Sequence, residues 1–497
     1  MVKPKINQIW RYLLILMVLA VSIFTHFYRL DHTFIFHNDE GRDVLIAYRM
    51  LDTKLPVLLG PETSVGNMYL GPFYYYLMVP SLWLSQLSPV GPAAMVALFG
   101  VLTTGLLIYL GRRYHSLSTG LAAGLFYALS PVMVHYSRSS WNPNVIPFFI
   151  SLLLVISLRR THWRVFLFGL VTGIIFQLHY VALVLPALLY LRTVLHYIRR
   201  QELRTLLIHS LIIVGGFILA TLPFWLFEFR HSFVNTQAFL TYFQEPERQA
   251  LNAGSYLRQL YLNLLLVVRG IMGSQSIMLT PSPSSFTVLG TVVLLVFVLT
   301  NRMLLAYLLV ASLLLVSLLR ENMHVHYLGF LFPVISLIIG LSLTKSRILG
   351  GITLLLLIVL TLPTLAALRY NLTGINSIQV ERARAVANYI VTQAAGRPYN
   401  VVNSQGTVSI PITYYLAISA APPQNDLQPL IFDVCEDRPC PLDDETTTLL
   451  FLAGPSHPSL TEYLGHPQLN EFKGKRKIIL NEPVSYNIHV ATIHLEP

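Results

Sequence analysis

Carboxylates are scarce in this chain, and where they fall is the first clue to its chemistry. Of the eleven acidic residues before position 370, six lie in one polar stretch after the first apolar run: Asp31, Asp39, Glu40, Asp43, Asp52 and Glu62. The centre of that stretch reads HNDEGRDVLIAYRML, residues 37–51. A carboxylate within hydrogen-bond reach of a hydroxyl can take its proton as the oxygen attacks, which makes Asp39 and Glu40 candidate catalytic groups. The same residues suit the start of a helix, with Asn38 as N-cap and two acids in the first turn facing the positive end of the dipole. The two roles are compatible. From Val44 onward the apolar positions 44, 45, 48 and 51 share one helical face, so the segment is expected to be an amphipathic helix on a membrane surface.

Other polar residues fall at the ends of apolar runs. They are Arg138 within SRSSWNPN (137–144), His179 with Tyr180, Glu228 with Arg230 and His231, and His324 with His326 and Tyr327. YLGPFYYYL (69–77) adds Tyr74, Tyr75 and Tyr76, which could line a headgroup or sugar site or anchor the chain at an interface. Gathered on one side, carboxylates, cations and aromatics would suit a polar, negatively charged substrate with a lipid part.

The elements that must hold these groups are membrane helices. The chain has 497 residues, 54% hydrophobic and only 11% charged, with a formal charge of +11. Soluble domains carry about 25% charged residues, so an ordinary soluble enzyme, a disordered chain and a disulfide scaffold are excluded. Apolar runs of near-spanning length occur at 11–29, 92–111, 118–136, 143–158, 164–178, 180–197, 206–227, 285–300, 303–319, 326–342 and 347–367. The run 72–88 carries three tyrosines and an internal proline and is read as interfacial. With the N-terminus inside, fifteen Lys and Arg beside helix ends, including Arg112, Arg113, Arg159 and Arg160, then lie on the cytoplasmic side. Letting 72–88 cross would move these pairs outside. Eleven spans follow, with polar loops 30–91 and 228–284, and the C-terminus, outside. The first span resembles a signal peptide but has a long apolar core and no persuasive cleavage site, so it is expected to remain.

Residues 1–369 hold 26 Lys+Arg against 11 Asp+Glu, whereas 370–497 hold 8 against 12. The second segment is therefore read as a separate small α/β domain, with a helix over 378–395 and strands near 399–402, 448–452, 476–480 and 486–493. It holds both cysteines, Cys435 and Cys440, whose close spacing outside the cytoplasm favours a disulfide over two free thiols. No Walker loop, HExxH or CxxC pair is present, and nothing points to nucleic acid. With the site facing away from nucleotide pools, an activated group is expected to arrive on a lipid.

Taken in order, Tyr28-Arg29-Leu30, Asp39-Glu40, Gly71-Pro72-Phe73-Tyr74-Tyr75-Tyr76, Gly111-Arg112-Arg113 and Ser137-Arg138 resemble the GT-C glycosyltransferases of family 39. That group includes protein O-mannosyltransferases, lipid A aminoarabinose transferases and Rgt-type galacturonosyl transferases. The resemblance covers roughly 10–345 and is best over 25–145. It implies inverting transfer of one sugar from a polyprenyl-phosphate donor to a protein, lipid or glycan acceptor at the outer face of the plasma membrane. It further implies Asp39 as general base, Glu40 as a positioning group, and Arg138, Arg230 and His231 around the donor phosphate. No cofactor is required, and a divalent metal at Glu40 or an outer histidine is compatible. Two features depart from the family: Leu70-Gly71-Pro72 stands where relatives carry Lys-Pro-Pro or His-Pro-Pro, and Trp141-Asn142-Pro143-Asn144 where they carry a second carboxylate. The rival expectation is a transporter or flippase for a lipid-linked sugar, which would place charges at mid-span and repeat itself in two halves.

Overall fold

An apolar stretch in hydrocarbon can satisfy its peptide groups only within itself, so such stretches close into helices. The computed structural model describes residues 3–63, 68–244, 253–272, 303–319, 323–374, 380–405, 409–424, 426–436, 439–440, 449–450, 471–472, 476–485 and 487–495. It opens with α1 (Lys3–Phe27), α2 (Leu30–Thr33), α3 (Asn38–Thr53), α4 (Phe73–Leu84), α5 (Val90–Tyr114) and α6 (Leu117–Leu129). There follow α7 (Pro131–Tyr136), α8 (Ile146–Ile156), α9 (His162–Leu178), α10 (Val184–Arg199), α11 (Leu203–Arg230) and α12 (Val234–Gln244). The helical part ends with α13 (Ala253–Met272), α14 (Met303–Val316), α15 (Phe332–Lys345) and α16 (Arg347–Thr373).

Among the described residues five helices are long and apolar enough to cross a membrane: Gln8–Phe27, Val90–Tyr114, Tyr180–Arg199, Leu203–Arg230 and Val325–Lys345. Four shorter apolar helices, Leu117–Leu129, Asn142–Ile156, His162–Leu178 and Leu304–Leu319, fall on four more of the expected runs. α16 covers the run 347–367, and the run 285–300 lies outside the described residues. The chain is a polytopic membrane protein, and large apolar side chains such as Leu211 (63% exposed) and Leu222 (45%) on α11 present the bare surface that lipid covers.

Several spans are broken at one end. The run 118–136 divides into α6 and α7 because Ser130, held extended before Pro131, cannot continue the helix. Three others begin in 3₁₀ turns, at Asn142–Val145, Tyr180–Leu183 and Val325–Leu331. The stretch 228–284, expected as loop, carries α12 and α13.

α4 settles which way the chain runs after it. Its 12 residues span about 18 Å, well short of the ~30 Å hydrocarbon core. Tyr74 at its start bonds Ser140 Oγ at 3.1 Å, and Leu87, just past its end, accepts from Tyr414 Oη at 2.6 Å. Both ends therefore return to the side where α3 and the C-terminal segment lie.

That segment is a small α/β unit: α17 (Val380–Ala394), β1 (Asn400–Gln405), α18 (Ser409–Ala417), β2 (Leu430–Glu436), β3 (Leu449–Leu450), β4 (Glu471–Phe472), β5 (Arg476–Ser485) and β6 (Ile488–Leu495). Its main sheet has the order β1-β2-β6-β5, with β1 and β2 parallel and the other pairs antiparallel. Cys435 and Cys440 form the expected disulfide.

α18 corrects the reading of α3 as a surface helix. Residues Glu40 to Ala47 are buried on every side, because α4 packs on one face and α18 covers the other. The close approach depends on Gly41, where a Cβ would stand 2.8 Å from Pro411 N and 3.1 Å from Ile410 C. Tyr414 of α18 meets the rings of Phe36 and Tyr48 edge-on at 6.1 and 6.3 Å.

Candidate active site

The first two turns of α3 hold a chain of charges. Asp39 Oδ1 accepts from Arg42 Nη1 at 2.8 Å, and the same guanidinium donates through Nε and Nη2 to Asp43 Oδ1, each at 2.8 Å. Tyr75 Oη also donates to Asp43 Oδ1, at 3.1 Å. The ends of this chain differ in environment. Asp39's side chain is 48% exposed, Arg42's 8% and Asp43's 0%. Burial outweighs the attraction of Arg42 and pushes the Asp43 carboxyl up to about 6. Asp43 Oδ2 is buried with no hydrogen-bond partner.

Glu40 points another way. Its Oε1 accepts from Ser139 Oγ at 2.6 Å and its Oε2 from the His37 backbone N–H at 3.2 Å. Burial dominates over those bonds and raises its carboxyl to about 7. The N-cap of α3 is His37 rather than the expected Asn38, which becomes the first helical residue because Glu40 reaches back to the His37 amide.

Segment 137–145 ties the acids to a second group. Ser139 holds Glu40, Ser140 meets Tyr74, and Asn144 Nδ2 donates to Ser139 O at 3.0 Å. Asn142 Nδ2 donates to Leu178 O at 2.7 Å, fixing the end of α9 beside His179. Trp141 packs on His326 at 4.2 Å between ring centres. His324 stacks on His326 at 5.4 Å, and Tyr327 lies 4.7 Å from His179. Thus His179, His324, His326 and Tyr327, expected from two separate stretches, converge on one cluster. Burial lowers the His179 imidazole to about 4, so it is neutral near pH 7. A cavity between His326, Tyr136 and Asn144 adjoins the cluster, and Asn144 Oδ1 and His326 Nε2 are both buried without partners.

Arg138 is placed differently from the expectation. Its Nη1 donates to Thr25 O and His26 O at 2.9 and 3.0 Å, and Nη2 to Tyr28 O at 2.9 Å and to Thr33 Oγ1. It is 3% exposed and serves as the C-terminal cap of α1, taking up carbonyls that the helix leaves unpaired. Arg230 and His231 are exposed at the end of α11, where His231 stacks on Phe227 at 4.0 Å. Glu228 is buried and accepts from Asn235 N at 3.1 Å and Thr236 N at 2.8 Å, at the start of α12. Asn235 Nδ2 in turn donates to Tyr69 O at 2.8 Å, a carbonyl to which Tyr180 Oη also donates.

Asp43, Arg42, Ser139 and Asn144 belong to the site but were not singled out in the sequence. One signal existed: Arg42 and Asp43 sit three and four residues after Asp39, the spacing of helix neighbours. For Ser139 no local pattern marks a contact with Glu40 across 99 positions, and Asn144 joins the site only through its bond to Ser139.

No protein-family model and no curated protein matches the chain. Among solved structures it is similar to ArnT from Cupriavidus metallidurans bound to undecaprenyl phosphate, with a TM-score of 0.59 and 16% identity over 97% of this chain and 98% of that one. The apo state of the same protein gives a TM-score of 0.58 and 14% identity, covering 98% of each chain. The likeness runs through both parts of the molecule and shows the GT-C fold, the small C-terminal sheet domain included.

Proposed function

We propose that this protein is a membrane glycosyltransferase that moves one sugar from a polyprenyl-phosphate donor to an acceptor hydroxyl on the outer face, with inversion. The observation that carries the reading is the charge chain at the head of α3. It offers one accessible carboxylate, Asp39, fixed by a guanidinium that is itself locked by buried Asp43 and Tyr75. The fold shared with a protein solved with undecaprenyl phosphate supports a lipid-linked donor.

In this mechanism the acceptor oxygen attacks the anomeric carbon from the face opposite the phosphate, and its proton passes to Asp39. The bond from C1 to the phosphate oxygen breaks, and the polyprenyl phosphate leaves with the electron pair as an anion. A phosphate leaving group needs hydrogen-bond donors and cations more than a proton. With Arg138 committed to α1, hydrogen-bond donation passes to the neutral imidazoles of the His179–His324–His326 cluster and to exposed His231, and the positive charge to exposed Arg230. Glu40 acts as a positioning residue, holding segment 137–145 against α3 through Ser139. Tyr180 and Tyr327 supply aromatic walls, whereas Tyr74 and Tyr75 are fully buried and brace Ser140 and Asp43 from behind. A metal ion is not needed for the step as written.

The test compares wild type with Asp39→Asn in membranes supplied with labelled polyprenyl-phosphate sugars, at matched expression and thermal stability. Loss of the base should reduce transfer roughly 10²–10⁴-fold, while the half-exposed side chain lets the fold survive. Equal transfer by both proteins would assign the sugar chemistry elsewhere and bring forward a transporter of the same lipid.

A further inference from the structure

The end of the bundle remote from Asp39 carries charge that the reaction does not use. α9 runs about 25 Å from His179 beside the site to His162 at the far end. α10 returns to that end, and α11 starts from it, packed alongside α9 through Gly169 and Gly216, where a Cβ would fall 2.0 Å from Ile213 O and 2.3 Å from Phe166 O. Arg159, Arg160, Arg164, Arg199, Arg200 and Arg204 all gather there, with Glu202 as the one acid between positions 63 and 227.

Three arginines elsewhere in the protein are committed to internal partners. Arg42 is clamped by two aspartates, Arg138 by carbonyls and Arg382 by Glu436. Among the described residues none of the six makes an ion pair. Arg164 donates to Val155 O at 3.3 Å, Arg160 stands over a built floor, and the charges of Arg160 and Arg200 both act on His196 beside it. The Arg160 guanidinium lies over the Tyr197 ring at 5.3 Å. Tyr197 is 4% exposed and its hydroxyl bonds His209 Nδ1 at 3.0 Å, with His209 itself 5% exposed. The His162 ring meets His209 edge-on at 5.3 Å. Three chain segments are therefore locked together beneath one guanidinium.

The depth of this floor is marked independently. Trp163 is 59% exposed, with Arg164 over its ring at 5.0 Å. An exposed tryptophan at a helix start beside lipid-facing leucines sits at headgroup level, where phosphates lie. We infer that the far ends of α9, α10 and α11 form a binding site for the phosphate of an anionic phospholipid, held by Arg160 and Arg200 above the Tyr197–His209 floor. Arginine suits the role because its planar fork meets two phosphate oxygens at once.

Native mass spectrometry of the full chain, released from micelles with phosphatidylglycerol or phosphatidylcholine, tests this. One phosphatidylglycerol should be retained at least tenfold over phosphatidylcholine. Arg160→Gln with Arg200→Gln should lower that retention about tenfold, and Arg200→Gln alone serves if the double variant accumulates poorly. Arg112→Gln with Arg113→Gln, at the end of α5, removes the same charge and should leave retention unchanged. Equal loss in that control would mean a general positive field and overturn the site. Displacement of the lipid by millimolar inorganic phosphate would also overturn it, by showing that the group bound is a soluble phosphate.

Discussion

Glu40 keeps a proton that the unfolded chain would release, and this makes stability depend on pH in a definite direction. Its carboxyl is raised from 4.5 to about 7, and that of Asp43 from 3.8 to about 6. For a group raised on folding, the stabilisation is complete below the unfolded value and is lost as pH rises through the folded one. Thermal stability should therefore fall between pH 5 and pH 8, by on the order of 2–3 kcal/mol from Glu40 alone. Glu40→Gln keeps an acceptor for Ser139 without a titrating group, and its unfolding temperature should be nearly flat across that window apart from the smaller slope left by Asp43. An unchanged slope in the variant would assign the effect elsewhere. The acids were legible in the sequence because acids are so rare here. Their pairings were not: the sequence suits Tyr75 to a headgroup or sugar and leaves Ser139 unmarked, until folding sets them 3.1 and 2.6 Å from Asp43 and Glu40.

Helices were the readable elements, since a run of apolar residues has no other way to satisfy its backbone in lipid. What periodicity misses is where they stop being regular. The breaks at Asn142–Val145, Tyr180–Leu183 and Val325–Leu331 border the candidate site, and they turn side chains inward that a continuous helix would carry past it. β2 escaped notice because Asp433 and Cys435 interrupt LIFDVCE, and α18 because Pro411 sits in its first turn. Arg138 belongs at this scale too. It was expected to meet phosphate and instead ends α1. Arg138→Gln should cost roughly 3 kcal/mol, since several buried carbonyls lose a charged donor together. A phosphate contact would give the opposite pattern, an unchanged unfolding temperature with weaker donor binding.

Across the whole molecule the C-terminal domain walls in α3, the helix of the candidate site. If this domain only selected the acceptor, its removal would change acceptor choice more than donor hydrolysis. With α18 covering α3, truncation after residue 373 would instead bare Phe36 and the run Val44–Ala47. Both hydrolysis and transfer should then fall together, and proteolysis should cut within α3 at concentrations that leave the full chain intact. The disulfide between Cys435 and Cys440 places a second demand on this domain, because such bonds persist in oxidising compartments. In intact cells an impermeant thiol reagent should label neither cysteine until a reductant is added, and both thereafter. Labelling only after lysis would put the domain inside.

Gly41 and Pro411 touch across 370 positions of chain, backbone against backbone. Neither domain can drift in sequence without the other's consent at that contact. Any side chain acquired at 41 selects at once for a retreat of 410–411, and that retreat would loosen the helix that carries Asp39. The C-terminal domain is thus a poor unit for exchange between relatives. A chimaera that swaps it should inherit a working site only if residues 36–48 travel with it.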